Sequence, residues 1–312
     1  MKKMISVIIL IFIFALQGCA AKEDNSKTTV EEETAAKGAA ATTVAQTEKA
    51  EATPTVAPTP TVAATPTVEP TPTAVPEGLI LPVTKNDTGK VLIQTISTAE
   101  ENLYSAYIIT SSNGESVVVD PYKMPRKKVV NINPAAIVNT HSHYDHNDNI
   151  FNGDYKDAAI LSLKLGEVQT KDFHIFNIAA SHDEKPIADN YCSDNLIVFE
   201  VDGLRIAHLG DCGQTELTTE QLKELGEIDI CFTQFENSYS AMSLENEKGF
   251  TLLEQLNPKI FIPTHYSENA LPIIKEKYGE ITEIENTLVI SKEEIPEDTL
   301  NPYRILNVHK YN

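Results

Sequence analysis

The sequence predicts a layered α/β domain, with sheet inside and helices outside. Short β-rich runs come first, later runs alternate with segments of helical periodicity, and both begin only after an abrupt change of composition near residue 78. Strands that first meander and then alternate with helices cover a sheet's faces with those helices. Of the 312 residues, roughly 230 follow the change, enough for one large domain.

The chain opens with Lys2 and Lys3, continues through an apolar run from Met4 to Leu16, and closes with Leu16-Gln17-Gly18-Cys19. The run is short for a membrane span, and its cationic start and small-residue end read as a secretory signal over residues 1–19. The last four residues resemble the lipobox of bacterial lipoproteins, which implies cleavage before Cys19 and a diacylglycerol on its thiol. Buried acyl chains, at about 0.8 kcal/mol per methylene, would then hold the protein on the extracytoplasmic face of the cell membrane. Without the lipid, the same stretch is a plain signal peptide or a stubby span with an incidental cysteine.

Residues 20–78 are rich in Ala, Thr, Glu, Lys and Pro with no aromatic residue, and they lack the apolar periodicity needed to offset ordering entropy. They read as a disordered tether. Its second half repeats Thr-Pro-Thr-Val at Thr53 to Val56 and Thr65 to Val68, a composition that favours extended polyproline II. The domain is expected over 79–312.

Within it, Val91 to Ile96, Tyr104 to Thr110, Ser116 to Val119 and Ala136 to Asn139 read as strands separated by polar turns. Ile175 to Ala179, Asn195 to Val201, Leu204 to Leu209, Ile228 to Phe232 and Lys259 to Ile262 read likewise. Helical periodicity falls at Thr218 to Leu225, Ser243 to Leu256 and Asn269 to Tyr278. The formal charge of −20 comes with no run of Lys or Arg longer than three residues, so a phosphate backbone finds little to bind and nucleic acid is a poor partner. Besides Cys19 there are Cys192, Cys212 and Cys231; an odd number is no disulfide framework. A Cys192–Cys212 bridge and small buried thiols are both open readings.

The chemistry concentrates in His141-Ser142-His143-Tyr144-Asp145-His146, directly after the apolar strand Ile137-Val138-Asn139. On an extended segment His141 and His143 point the same way and chelate one cation together. Asp145 and His146 follow where the chain turns toward a helix and face a second. A solvated histidine-rich loop is the plain alternative, but it gives no reason for four ligand-type side chains to end a hydrophobic strand. A divalent site needs more donors than this loop supplies. Three later β-runs each end on a candidate: His182, Asp211 in Gly210-Asp211, and His265 in Pro263-Thr264-His265-Tyr266. Any one alone reads as a cap or core residue; together they point to convergence on one sheet edge.

This order of motifs resembles the metallo-β-lactamase superfamily, whose signature is His-x-His-x-Asp-His, a lone His, Gly-Asp and a final His. The run Asp202-Gly203-Leu204-Arg205-Ile206-Ala207-His208-Leu209-Gly210-Asp211 is similar to a bacterial branch related to ascorbate-phosphate lactonases. The resemblance implies a four-layer αββα sandwich and a dinuclear metal-dependent hydrolase acting on an ester, lactone or phosphodiester of small size. It implies one divalent ion on His141, His143 and His182, and another on Asp145, His146 and His265. Asp211 would bridge the ions, with zinc expected and manganese or iron as alternatives. Asp145 and Asp211 would be the catalytic carboxylates, Asp145 orienting the attacking hydroxide. Asp183, Tyr144 and Tyr266 are candidates for leaving-group or oxyanion contact, with a surface or packing role as the plainer reading. Asp120, after Val117-Val118-Val119, matches the family's aspartate that orients a ligand histidine, and also reads as a simple strand-ending turn. His208 is expected as a buried neighbour, Cys212 as packing, and His174 and His309 as incidental. The chain departs from that branch at Thr233 to Ser240, where relatives carry a Pro-x-Gly-Gly loop, so a relative's substrate does not transfer. Two rival readings are an iron-dependent oxidoreductase on the same fold and a non-catalytic solute-binding lipoprotein.

Overall fold

Two mixed β-sheets face each other in the computed structural model, which describes residues 86–99, 105–127, 132–162, 164–184 and 193–306. The six-stranded sheet has the order β13-β1-β2-β3-β4-β5. Its strands are β1 (Val91–Gln94), β2 (Tyr107–Thr110), β3 (Ser116–Val119), β4 (Ala136–Asn139), β5 (Ala159–Ser162) and β13 (Thr287–Ile290). The eight-stranded sheet has the order β12-β14-β11-β10-β9-β8-β7-β6. It contains β6 (Glu167–Gln169), β7 (Phe173–Ala180), β8 (Asp194–Val201), β9 (Leu204–His208), β10 (Ile230–Thr233), β11 (Ile260–Pro263), β12 (Thr282–Glu285) and β14 (Asn301–Leu306). The helices are α1 (Asn149–Asp154), α2 (Thr219–Leu225), α3 (Lys248–Leu256) and α4 (Ala270–Tyr278). All described residues fall within one compact unit. The predicted signal, the tether, Cys19, Cys192, His309 and the boundary at 78/79 lie outside the described residues.

The centre of the eight-stranded sheet is buried on both faces, and its alternating side chains divide between two cores. Ile197, Phe199, Ile206, Ile230, Phe232, Ile260 and Ile262 join Ile93, Ile109 and Val117 between the sheets. Their neighbours Leu196, Val198, Ala207, Cys231 and Phe261 pack with Leu225, Phe250, Leu253 and Ile274 under the helices. Tyr107 on β2 meets Phe232 on β10 across the sandwich, ring centroids 4.4 Å apart. A strand buried on both faces must be apolar throughout, which is why these strands read as unbroken hydrophobic runs.

Helices α2, α3 and α4 therefore cover the outer face of the eight-stranded sheet. On the six-stranded sheet the helical layer is reduced, among the described residues, to α1, which buries Phe151. α2 begins with a capping box, Gln221 N donating to Thr218 Oγ1 and Thr218 N to Gln221 Oε1. α4 carries Pro272 in its first turn, where a missing N–H costs nothing. No described helix is long and apolar enough to cross a membrane.

Five strands fall outside the apolar runs: β5, β6, β12, β13 and β14. Four of them are the lateral edges of the two sheets. Edge strands are half exposed and carry charge, as Thr282-Glu283-Ile284-Glu285 does, so their sequences resemble loops. Asn286, at φ +54°, sits alone between β12 and β13. This left-handed residue, a conformation Asn tolerates, passes the chain from one sheet's edge to the other's.

Phe199 is fully buried between the sheets, so Phe199→Ala is expected to lower unfolding free energy by about 3–5 kcal/mol in urea titration. A loss below about 1 kcal/mol would contradict this position for the core.

Candidate metal centre

Strands β7, β9 and β11 run in one direction, because β8 is antiparallel to both β7 and β9 while β9, β10 and β11 are parallel. Their carboxyl ends deliver His182, Asp211 and His265 to a single edge, as open α/β sheets do with their ligands. The parallel pair β3 and β4 of the other sheet ends there too, bringing Asp120 and the His141–His146 loop.

The seven side chains named from the sequence form two groups. His141, His143, His182 and Asp211 offer donor atoms within 4.8 Å of one another, and so do Asp145, His146 and His265. Asp211, 2% exposed, divides its oxygens between them. Its Oδ2 lies 3.3 Å from His182 Nε2 and 3.6 Å from His141 Nε2. Its Oδ1 lies 3.2 Å from His146 Nε2 and 3.3 Å from His265 Nε2. The first loop is not extended as its sequence predicts. It bends and turns, with His146 N and Asn147 N both donating to His143 O. The bend lets rings one residue apart in alternation converge, the His141 and His143 centroids 4.7 Å apart at 80°. His141, His146, His182 and His265 are buried, whereas His143 opens to solvent beside Tyr239, 6.4 Å between ring centroids.

Burial by itself pushes the Asp211 carboxyl up, but the His146 and His265 imidazoles beside it hold it well below the ordinary carboxylate range. His141 is pushed down to about 4 by burial and by its neighbour His146, so it stays neutral and its nitrogen lone pair is available. For His146 burial works downward, yet Asp211 and Asp120 overcome it and raise the ring well above its usual value. His141 Nε2, His182 Nε2 and Asp211 Oδ1 are buried with no hydrogen-bond partner. Orphaned donors of this kind, imidazoles and a carboxylate converging in threes and fours, fit a divalent cation in each group.

Asp120 orients rather than merely ends a strand. It adopts φ +45° after β3, and His146 Nδ1 sits 2.7 Å from its Oδ2 while Thr140 donates from N at 2.7 Å and Oγ1 at 2.8 Å. This fixes His146 with Nε2 toward the centre. His208 does not reach the donor groups. Its Nδ1 accepts from Gly210 N at 3.0 Å and its Nε2 donates to Ser105 O at 3.1 Å, and burial pushes it down to about 4. It shapes the turn that aims Asp211. Gly210, at φ +55°, has no room for a side chain: a Cβ there would lie 2.7 Å from Thr140 Cβ.

Of the other candidates, Tyr144 stands 74% exposed at the mouth, near Tyr122. Tyr266 is buried on the helix side, its hydroxyl accepting from Arg304 Nε at 2.9 Å. Asp183 Oδ1 accepts from Ser181 Oγ. His174 lies between Glu200 and Glu167, away from the centre. Cys212 and Cys231 are free and buried, Cys212 in the core under the helices.

Several residues that hold the centre carried little sequence signal. Thr140 is readable only as a neighbour of the histidine motif. Asn237, inside the departing segment Thr233 to Ser240, donates to Asp211 Oδ2 at 2.7 Å, and Ser240 Oγ donates to Asp211 O at 2.9 Å. Asp194 and Lys248 stand in no motif. Lys248, its side chain 9% exposed, pairs with Glu184 at 2.5 Å and donates to Gly213 O, tying the His182 loop to the Asp211 loop.

A family model described as the beta-lactamase superfamily domain matches residues 103–265. The UPF0173 metal-dependent hydrolase of Staphylococcus aureus (strain JH9) is 24% identical over 202 residues, covering 54% of this chain and 85% of that protein. A Thermotoga maritima protein, assigned as a Zn-dependent hydrolase of the metallo-β-lactamase superfamily, shares the fold at TM-score 0.50 and 19% identity, covering 69% of this chain and 97% of that one. Igni18, a metallo hydrolase from Ignicoccus hospitalis, aligns at TM-score 0.47 and 16% identity over 70% of this chain and 95% of its own.

A Cβ at Gly213 would lie 2.3 Å from His182 O and 2.5 Å from Ser240 O. Gly213→Ala is therefore expected to cost about 1–3 kcal/mol in denaturant titration and to weaken metal uptake with it. An unchanged unfolding midpoint would show that these loops do not need their close approach.

Proposed function

The chain belongs to the metallo-β-lactamase superfamily, and from that premise we propose a lipid-anchored, extracytoplasmic hydrolase that opens a small ester, lactone or phosphodiester at a two-cation centre. The observation that carries the reading is the division of Asp211, each oxygen turned to a different group of imidazoles. His141, His143 and His182 would hold one ion, Asp145, His146 and His265 the other, and Asp211 both. An imidazole-rich set of this kind suits zinc, and manganese and iron use the same donors. When bound, such a pair supplies Lewis acidity and brings the pKa of a water toward neutrality.

The chain's own residues do the rest. Asp145, half-buried beside His146 and His265, is placed to accept a hydrogen bond from the attacking water and set its direction. Asp120 holds a proton of His146 on Nδ1 and so turns Nε2 toward Asp211 and His265. Asn237 holds the Oδ2 side of Asp211 and limits its rotation. The exposed His143, flanked by Tyr239, marks the side from which a small substrate enters. No protein nucleophile is required. The signal over residues 1–19, the Cys19 thiol and the Thr/Pro-rich tether support delivery of this domain to the outer membrane face, held at a distance from the bilayer.

Purified domain is expected to carry close to two metal ions per chain by elemental analysis. Asp145→Ala and His146→Ala should each lose one ion together with hydrolysis across a panel of lactones, phosphodiesters and other esters. A domain that binds no metal and melts identically with and without chelator would overturn the reading. Cys19→Ala in the full chain is expected to move the protein from the membrane fraction to the soluble one, and retention at the membrane would remove the lipid anchor.

A further inference from the structure

We propose that Asp194 is a positioning residue for His141, doing for the first donor group what Asp120 does for the second; the inference rests on the metal-centre reading above. Asp194 begins β8 at the edge where β7, β9 and β11 end. Its side chain is fully buried, and neither carboxyl oxygen has a hydrogen-bond partner. Its Oδ1 lies 3.2 Å from His141 Nδ1, while His141 Nε2 faces Asp211 Oδ2 at 3.6 Å. The imidazole thus spans two carboxylates, one on each nitrogen. A proton kept on Nδ1, between Thr140 Oγ1 and Asp194 Oδ1, leaves Nε2 unprotonated toward the donor group, the tautomer a ligand needs.

The other acceptor near that nitrogen is Thr140 Oγ1, at 3.1 Å. Its hydrogen goes to Asp120 Oδ2, and its lone pairs also face His146 Nδ1 at 3.3 Å. Asp194 has no such competing claim among the described residues. Its oxygen accepts whether the carboxyl is charged or neutral. The surroundings are built to admit it. A Cβ on Gly210 would come within 2.6 Å of Asp194 Oδ1 and 3.0 Å of Oδ2, so the turn that carries Asp211 is shaped around this carboxyl. The preceding Ser193 accepts from His182 N through its Oγ at 2.9 Å. The first two residues before and within β8 therefore hold two members of one donor group, one through its ring and one through its backbone.

The test uses the metal-loaded protein and two variants. Asp194→Leu removes the acceptor at similar volume, and Asp194→Asn keeps an oxygen but weakens it. Chelator competition is expected to show one of the two zinc ions bound roughly 10-fold to 100-fold more weakly in Asp194→Leu, with a smaller loss in Asp194→Asn. Nitrogen-15 spectra of labelled histidine should show His141 protonated on Nδ1, and Asp194→Asn should displace that proton's resonance. Wild-type zinc affinity in a folded Asp194→Leu would overturn the assignment, and so would an unmoved His141 resonance in Asp194→Asn, which decides the matter if Asp194→Leu does not fold. Wild-type protein that binds no zinc would instead overturn the metal centre itself, an outcome distinct from either.

Discussion

Burying a carboxylate is expensive unless its charge is answered on every side, and Asp211 is nearly inaccessible to solvent at the meeting point of two sheets. Each of its oxygens is answered by a different pair of imidazoles, His141 with His182 and His146 with His265. The rest of the edge can be understood as what it takes to keep that carboxylate where it is. His208 and Gly210 set the turn before it, Ser240 holds its backbone, and Asn237 occupies one oxygen. Without those supports the side chain would rotate and a single group would claim both oxygens.

Sheet topology makes this economical. The parallel strands bring residues scattered from Asp120 to His265 to one side of the molecule, and the long sequence gaps are absorbed by helices on the far face. The first donor loop belongs to the six-stranded sheet, while His182, Asp211 and His265 belong to the eight-stranded one. Neither sheet alone completes a group, since His141 and His143 need His182, and Asp145 and His146 need His265.

The part of the fold that was legible in the sequence is the part buried on both sides. Ser116–Val119 and Ala136–Asn139 were readable to the residue because, the half-buried Ser116 apart, solvent reaches neither face. β12 was not, because an edge strand needs polar side chains and then carries no period that differs from a loop. α3 starts at Lys248 and not at Ser243 because Ser243 to Asn246 closes a polar turn, with Ser243 N donating to Asn246 Oδ1 and Glu247 at φ +55°. In the centre, the seven donors were visible because His and Asp at strand ends are rare and their order is distinctive. Asp194 was invisible for the opposite reason: a single acidic residue before an apolar run looks like any strand cap. Only its complete burial and its distance to His141 Nδ1 distinguish it.

The sheet-to-sheet passage at Asn286 has a mechanical meaning. It ties β12 to β13 along one flank, while along the other Asn177 on β7 bonds to Lys164 O and Gly166 N in the segment that leads into β6. Stitched down both flanks, the two halves of the sandwich resist splaying, and covalent chain limits how far the slot at their carboxyl ends can open. Small domains cast around a cation fold only when it binds. Here the two flanking connections constrain the width of the slot through covalent chain, in addition to whatever a bound ion contributes.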